Sequence, residues 1–308
     1  MSATNTAPRA IPSPHSNTPF LSAMSEAGKA VTGDMAKAAS AALTIVPTGG
    51  TLGAEIKNCD LSAPLMSAQA AQVRQAMLDY GVVFFRGQTL SDEDMVRFTA
   101  HFGKPVPHVR KQRERRVKEI FIISNVKENG EAIGELGDEL IPFHSDLSYL
   151  ERPGTLSVLY AVEIPAEGGQ TQWCNCTAAY ETLDDTMKKR LKSLRAVHRH
   201  HVETQNPTEH IAHPIVRTHP ETDRRSLYVG PHLTRYIAGL DQQEGDALLA
   251  ELYAHLETPR FVWTHEWQVG DLVLFDNRPT MHRRLAFPSD QRRIMKRTQI
   301  FNDEIPVE

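Results

Sequence analysis

The segment Ile141-Pro-Phe-His-Ser-Asp-Leu-Ser-Tyr149 sets His144 and Asp146 two residues apart, behind a proline that cannot sit inside a regular helix. At that spacing both side chains leave the same face of an extended segment. One neutral imidazole and one carboxylate converging from a strand end make two thirds of a facial triad, the arrangement that holds non-haem Fe(II) with open coordination positions. The missing ligand should be a distant histidine. A lone His-x-Asp pair is more often a hydrogen-bonded surface pair than a metal site, so the rest of the chain must decide.

Two later segments bear on that decision. Asp276-Asn-Arg-Pro-Thr-Met-His282 brings a histidine out of the Gly270-Asp-Leu-Val-Leu-Phe275 strand into a polar turn. Arg293 and Arg297 lie four apart in the strand Arg292 to Ile300, hence on one face. Buried arginines beside a metal are very costly unless they bind anions. Arg110 to Lys118 holds six basic residues in nine positions; this reads as a solvated loop, or more sharply as an anion-attracting rim near a pocket. His198, His200, His201, His210, His213 and His219 form a dense stretch that reads as scattered and loop-like, with none expected as a ligand. Cys174 and Cys176 share a strand face but lack further partners at metal-site spacing, so they read as small buried thiols.

The elements that must position these residues are mostly short and apolar. Leu43-Thr-Ile-Val-Pro and Thr51 to Lys57 flank Gly49-Gly50 as a hairpin-like entry. Ala68 to Tyr80 is an expected helix stopped by Gly81, and Ser91-Asp-Glu-Asp94 caps another. Val82-Val-Phe-Phe85 and Ile120-Phe-Ile-Ile123 are expected core strands. Thr155 to Val162 and Gln170 to Cys176 read as strand, tight turn, strand around Pro165 to Gly169. Thr177 to Leu194 and Asp241 to Leu256 are expected helices, and the long loop Asn125 to Gly137 before the His-x-Asp segment has the character of a lid.

Composition bounds the class. The chain has 308 residues, 40% hydrophobic and 23% charged, with a formal net charge of -4, which gives no electrostatic reason to expect nucleic acid or an anionic membrane as partner. Three cysteines without paired spacing argue for a reducing compartment, so a cytoplasmic location is expected. Residues 1–42 are rich in Ala, Ser, Thr and Pro and are expected to be a disordered extension ahead of a domain over 43–308.

His144-x-Asp146, Gly168-Gly-Gln-Thr171, Asp276 to His282 and Arg292-Arg-Ile-Met-Lys-Arg297, in that order, resemble the taurine dioxygenase family of Fe(II)- and 2-oxoglutarate-dependent oxygenases, over roughly Leu43 to Asp303. The resemblance implies a mainly β fold with flanking helices, a double-stranded β-helix or distorted jelly roll. It implies that His144, Asp146 and His282 ligate iron, that Arg293 and Thr171 bind 2-oxoglutarate, and that Arg297 and His108 contact the substrate. The implied activity uses O2 to hydroxylate a small anionic substrate, a carboxylate or sulfonate, with release of succinate and CO2. Leu140 and Phe143 depart from the family pattern and turn the expectation away from taurine itself. Expected partners are the small-molecule substrate and further copies of the chain in a homo-oligomer, with neither nucleic acid nor membrane. Two other classes compete. A hydrolytic zinc site commonly uses His-Glu-x-x-His, which the chain lacks, and a non-catalytic jelly-roll binding module needs no triad.

Overall fold

The computed structural model describes residues 42–308 except Lys111 and Asp303. The expectation for residues 1–41 lies outside the described residues.

Alternation along three strands decides the layering. In Val82–Phe85, Val83 and Phe85 pack in the core formed with helices Ser67–Tyr80 and Asp92–Ala100, while Val82 and Phe84 face the other way. Leu272–Asp276 repeats this with Leu272 and Leu274 against Val273 and Phe275. Gly154–Glu163 adds Leu156 and Val158 to the helix side and Leu159 and Ala161 to the opposite side. Each strand is buried on both faces, which is why it reads as a near-continuous apolar run.

These strands belong to an eight-stranded sheet. Its order is Thr44–Pro47, Ala54–Lys57, Val82–Phe85, Leu272–Asp276, Gly154–Glu163, Ile294–Phe301 and Pro105–Val106, with Phe121–Ser124 also paired to Ile294–Phe301. A four-stranded antiparallel sheet, ordered Val262–His265, Thr171–Asn175, Thr280–Arg284 and Ile141–His144, packs against its inner face. Trp173 of the small sheet meets Phe275 of the large one at 5.4 Å between ring centroids. A third sheet, Ile211–Pro214, Arg195–His198 and Thr234–Ile237, shares a separate core with the helix Gln242–Leu256. The described part is mainly β with few helices, as expected. Among the described residues no helix is long and apolar enough to cross a membrane.

Local signals explain the helix ends. Ser91 accepts from the Asp94 backbone N–H while the Asp94 carboxylate accepts from the Ser91 backbone, a reciprocal cap whose loss costs about 1 kcal/mol. Gly81 ends the first helix at φ 71°, and a Cβ there would fall 2.8 Å from Leu52 Cδ2.

Three expectations are corrected. Thr177 to Leu194 is not one helix but two, Cys176–Glu181 and Asp185–Leu191, because Asp184 caps the Met187 backbone N–H and starts a second helix. The strands around Pro165 to Gly169 do not pair with each other: Gly154–Glu163 lies in the large sheet and Thr171–Asn175 in the small one, so the connection crosses between sheets. The histidine stretch is not simply loop, since His198 and His213 sit on strands and His198, His200, His213 and His219 are buried.

Candidate metal centre

Cross-strand register brings the two histidines together. Thr280–Arg284 pairs antiparallel with Ile141–His144 so that His282 lies opposite His144, and the imidazole centroids are 4.3 Å apart. Alternation then sorts the strand: Met281 and Arg283 turn to the core that holds Phe143, while His282 and Arg284 line a cavity between the sheets. Asp146 follows in the turn after the strand. One ligand atom from each of His144, Asp146 and His282 lies within 4.8 Å of the others, and among the described residues no other group of three or more His, Cys, Asp or Glu side chains is so placed.

The electrostatics suit a divalent cation. Burial holds the His144 imidazole down at about 3 and also lowers His282, so both are neutral at physiological pH. His144 Nδ1 lies 2.8 Å from the Pro142 carbonyl, an acceptor, so the ring proton sits on Nδ1 and Nε2 keeps the lone pair a metal requires. Burial would raise the Asp146 carboxyl, yet Arg297, His282 and His144 overcome it and hold it well below the usual carboxylate range. Two neutral nitrogen donors and one anionic oxygen fit Fe(II).

The cavity beside this group is lined by His144, Thr171, His282, Arg284, Arg293 and Arg297. Arg293 is 3% exposed and its Nε has no hydrogen-bond partner. Burial, and then the neighbouring Arg284, push its guanidinium down to about 9. Arg284 spends its terminal nitrogens on the carbonyls of Leu136 and Glu139. Neither arginine forms an ion pair with a described carboxylate, so two cationic groups face one cavity. Thr171 Oγ1 accepts from Trp267 Nε1 at 3.0 Å, which leaves its own proton to give. The glycines before it are required by close approach: at Gly169, φ 69°, a Cβ would lie 2.9 Å from Pro165 Cγ and 3.3 Å from Arg293 Cδ.

Arg297 is corrected in one respect. It shares the cavity with Arg293, but its charge does not wait for an anion, since Nη1 donates to Asp146 Oδ1 at 3.2 Å and its guanidinium lies over Phe121. His108 stands outside that cavity, 4.0 Å from Phe121 between ring centroids and accepting from the Arg110 backbone. Residues with no spacing signal complete the surroundings. His232 packs on His144 at 5.2 Å and His201 on His232 at 5.7 Å, and Arg110 bridges Glu135 and His200. So Arg110, read as part of a solvated loop or a rim, ties its segment to two others.

The comparisons agree with this geometry. The model of the taurine catabolism dioxygenase TauD, TfdA family matches residues 44–299. The chain is similar, at 34% identity over 267 residues, to the alpha-ketoglutarate-dependent 2,4-dichlorophenoxyacetate dioxygenase of Burkholderia sp. strain RASC, covering 79% of this chain and 89% of that one. It is 29% identical over 285 residues to the alpha-ketoglutarate-dependent sulfate ester dioxygenase of Pseudomonas putida, covering 86% and 91%. A crystal structure of a taurine dioxygenase from Burkholderia xenovorans superposes with a TM-score of 0.75 at 34% identity, covering 87% of this chain and 93% of that one. By the extent of that match and the order of its motifs, the chain belongs to the taurine catabolism dioxygenase TauD, TfdA family.

Proposed function

We propose that the two facing sheets form a double-stranded β-helix that houses an Fe(II)- and 2-oxoglutarate-dependent dioxygenase site acting on a small anionic substrate. The observation that carries this reading is the junction of the His144, Asp146 and His282 group with a cavity holding two buried arginines that lack carboxylate partners. A hydrolytic zinc site has no use for those arginines.

In this reading His144, Asp146 and His282 hold the metal. When bound, Fe(II) with 2-oxoglutarate and O2 supplies an oxidant strong enough for an unactivated C–H bond, and the cosubstrate leaves as succinate and CO2. Arg293 binds the far carboxylate of 2-oxoglutarate through a charge-assisted pair, with the Thr171 hydroxyl donating to the same group. Arg284 holds positive potential across the cavity without leaving its backbone carbonyls. Relatives named for a phenoxyacetate and a sulfate ester support an anionic substrate; Arg297, already paired with Asp146, and His108, packed on Phe121, are its proposed contacts. His232, whose imidazole burial holds down to about 3, packs on His144 with His201 behind it, and the two rings wall the approach to the metal group.

The test is Fe(II)-dependent release of succinate from 2-oxoglutarate, screened with carboxylates, sulfonates and sulfate esters. Stimulation by an anionic compound is expected. A folded, iron-replete protein that neither binds 2-oxoglutarate nor forms succinate sinks the proposal, and 2-oxoglutarate-independent hydrolysis with zinc favours the competing class.

A further inference from the structure

Ser157 sits in the middle of the long strand Gly154–Glu163 and is fully buried between Leu156 and Val158. A hydroxyl in that setting is costly unless it is satisfied. Its Oγ donates to Asp146 Oδ2 at 2.7 Å, and lies 3.0 Å from Asn277 Nδ2 and 3.3 Å from Gln299 Nε2.

The direction of these bonds follows from counting donors. The Asp146 backbone N–H donates to Asn277 Oδ1 at 3.1 Å, which makes Oδ1 the acceptor end of that amide and Nδ2 the donor end. A serine hydroxyl has two acceptor positions and one proton. Asn277 and Gln299 fill both acceptor positions, so the single proton has one direction left, toward Asp146 Oδ2. The other carboxylate oxygen, Oδ1, lies 4.0 Å from His282 Nε2.

We propose that Ser157 is a positioning residue for the metal-ligating carboxylate, locked by Asn277 and Gln299 so that Asp146 presents Oδ1, and Oδ1 alone, toward the histidines. This rests on the metal reading above. It also gives Asn277 a purpose within Asp276 to His282: five residues ahead of His282, it fixes the backbone and, through Ser157, the side chain of Asp146. The two ligand-bearing segments, 131 residues apart at this contact, are thereby held in mutual register independently of the metal.

The experiment measures Mn(II) and Co(II) affinity by calorimetry on the full chain, with 2-oxoglutarate affinity measured at saturating metal. Removing a group that orients a ligand typically weakens metal binding about 10- to 100-fold, so Ser157→Ala should show a loss of that size. Ser157→Thr, which keeps the hydroxyl, should recover most of it. Because 2-oxoglutarate is held mainly through Arg293, its affinity at saturating metal should change less than about threefold. Gln299→Leu frees one acceptor position and should weaken metal binding by a smaller factor, about threefold to tenfold, which keeps the test open if Ser157→Ala does not fold. Unchanged metal affinity in either folded variant overturns the proposal, as does a loss in Ser157→Ala that Ser157→Thr shares. A wild-type protein that binds no metal defeats the underlying reading instead, so the two failures are distinguishable.

Discussion

Arg293 shows how much one side chain can say about an absent partner. A guanidinium buried to 3% exposure and depressed by burial and by Arg284 is costly to desolvate, a cost that the proposed carboxylate of 2-oxoglutarate offsets. Replacing it with Leu is expected to raise the 2-oxoglutarate requirement on the order of tenfold to a thousandfold, the loss of a charge-assisted pair of about 1.5 to 4 kcal/mol. Titration of 2-oxoglutarate against succinate release checks this, and an unchanged requirement would move the clamp to Arg284 or Arg297. Alanine at His144, Asp146 or His282 should leave a folded protein with little or no turnover, because each removes one of the three proposed ligands; full turnover with stoichiometric iron would remove that residue from the set. At this scale the sequence was informative where residue type is unusual for its setting, as with paired arginines in a strand or a His-x-Asp behind a proline. It was silent on Ser157, an ordinary residue in an apolar run. It gave no sign that Arg297 pairs with Asp146, which lies 151 residues away on a segment no periodicity connects to it.

Elements were legible where one signal sufficed. Helices announced by Ser91 and Asp241, or ended by Gly81, lie within a few residues of their expected bounds. Strand partners were not legible, because a run buried on both faces does not say which sheet it joins, and so Gly154–Glu163 was matched with the wrong neighbour. The end of Leu272–Asp276 shows what pairing adds. Burial would raise the Asp276 carboxyl, but Arg278 and then His219 overcome it and hold it well below the usual range, with Arg278 reaching on to Glu221 and Glu221 to Arg74 on the first helix. A carboxyl depressed in the folded state contributes stability that is present above its unfolded value, about 3.9, and is lost as pH falls from there toward the folded value. Asp276→Asn should therefore destabilise the protein at neutral pH, by about 1 to 3 kcal/mol, because Arg278 loses its buried partner but keeps Glu221. Its stability should also fall less steeply than that of the wild type between pH 5 and pH 2. Parallel denaturant titrations across that range test both; identical slopes would mean that other carboxylates govern the acid limb.

For the whole described domain, the site is where two sheets are tied together. His144 ends the edge strand of the small sheet and His282 lies on its neighbour. Asp146, by contrast, is gripped by Ser157 and Arg297 of the large sheet. A metal bound to all three therefore links the edge of one sheet to the centre of the other, a link the unfolded chain cannot make. Mass action gives about 2.7 kcal/mol of added stability at a free metal concentration one hundred times the dissociation constant. For a domain of this size that corresponds to a rise in melting temperature of about 5 to 10 °C. Mn(II), which does not oxidise under assay conditions, should produce this shift in wild type, a chelator should reverse it, and Asp146→Ala or His282→Ala should abolish it. A melting temperature that ignores saturating metal, while calorimetry still records binding, would mean that the edge strand Ile141–His144 opens independently of the rest of the fold.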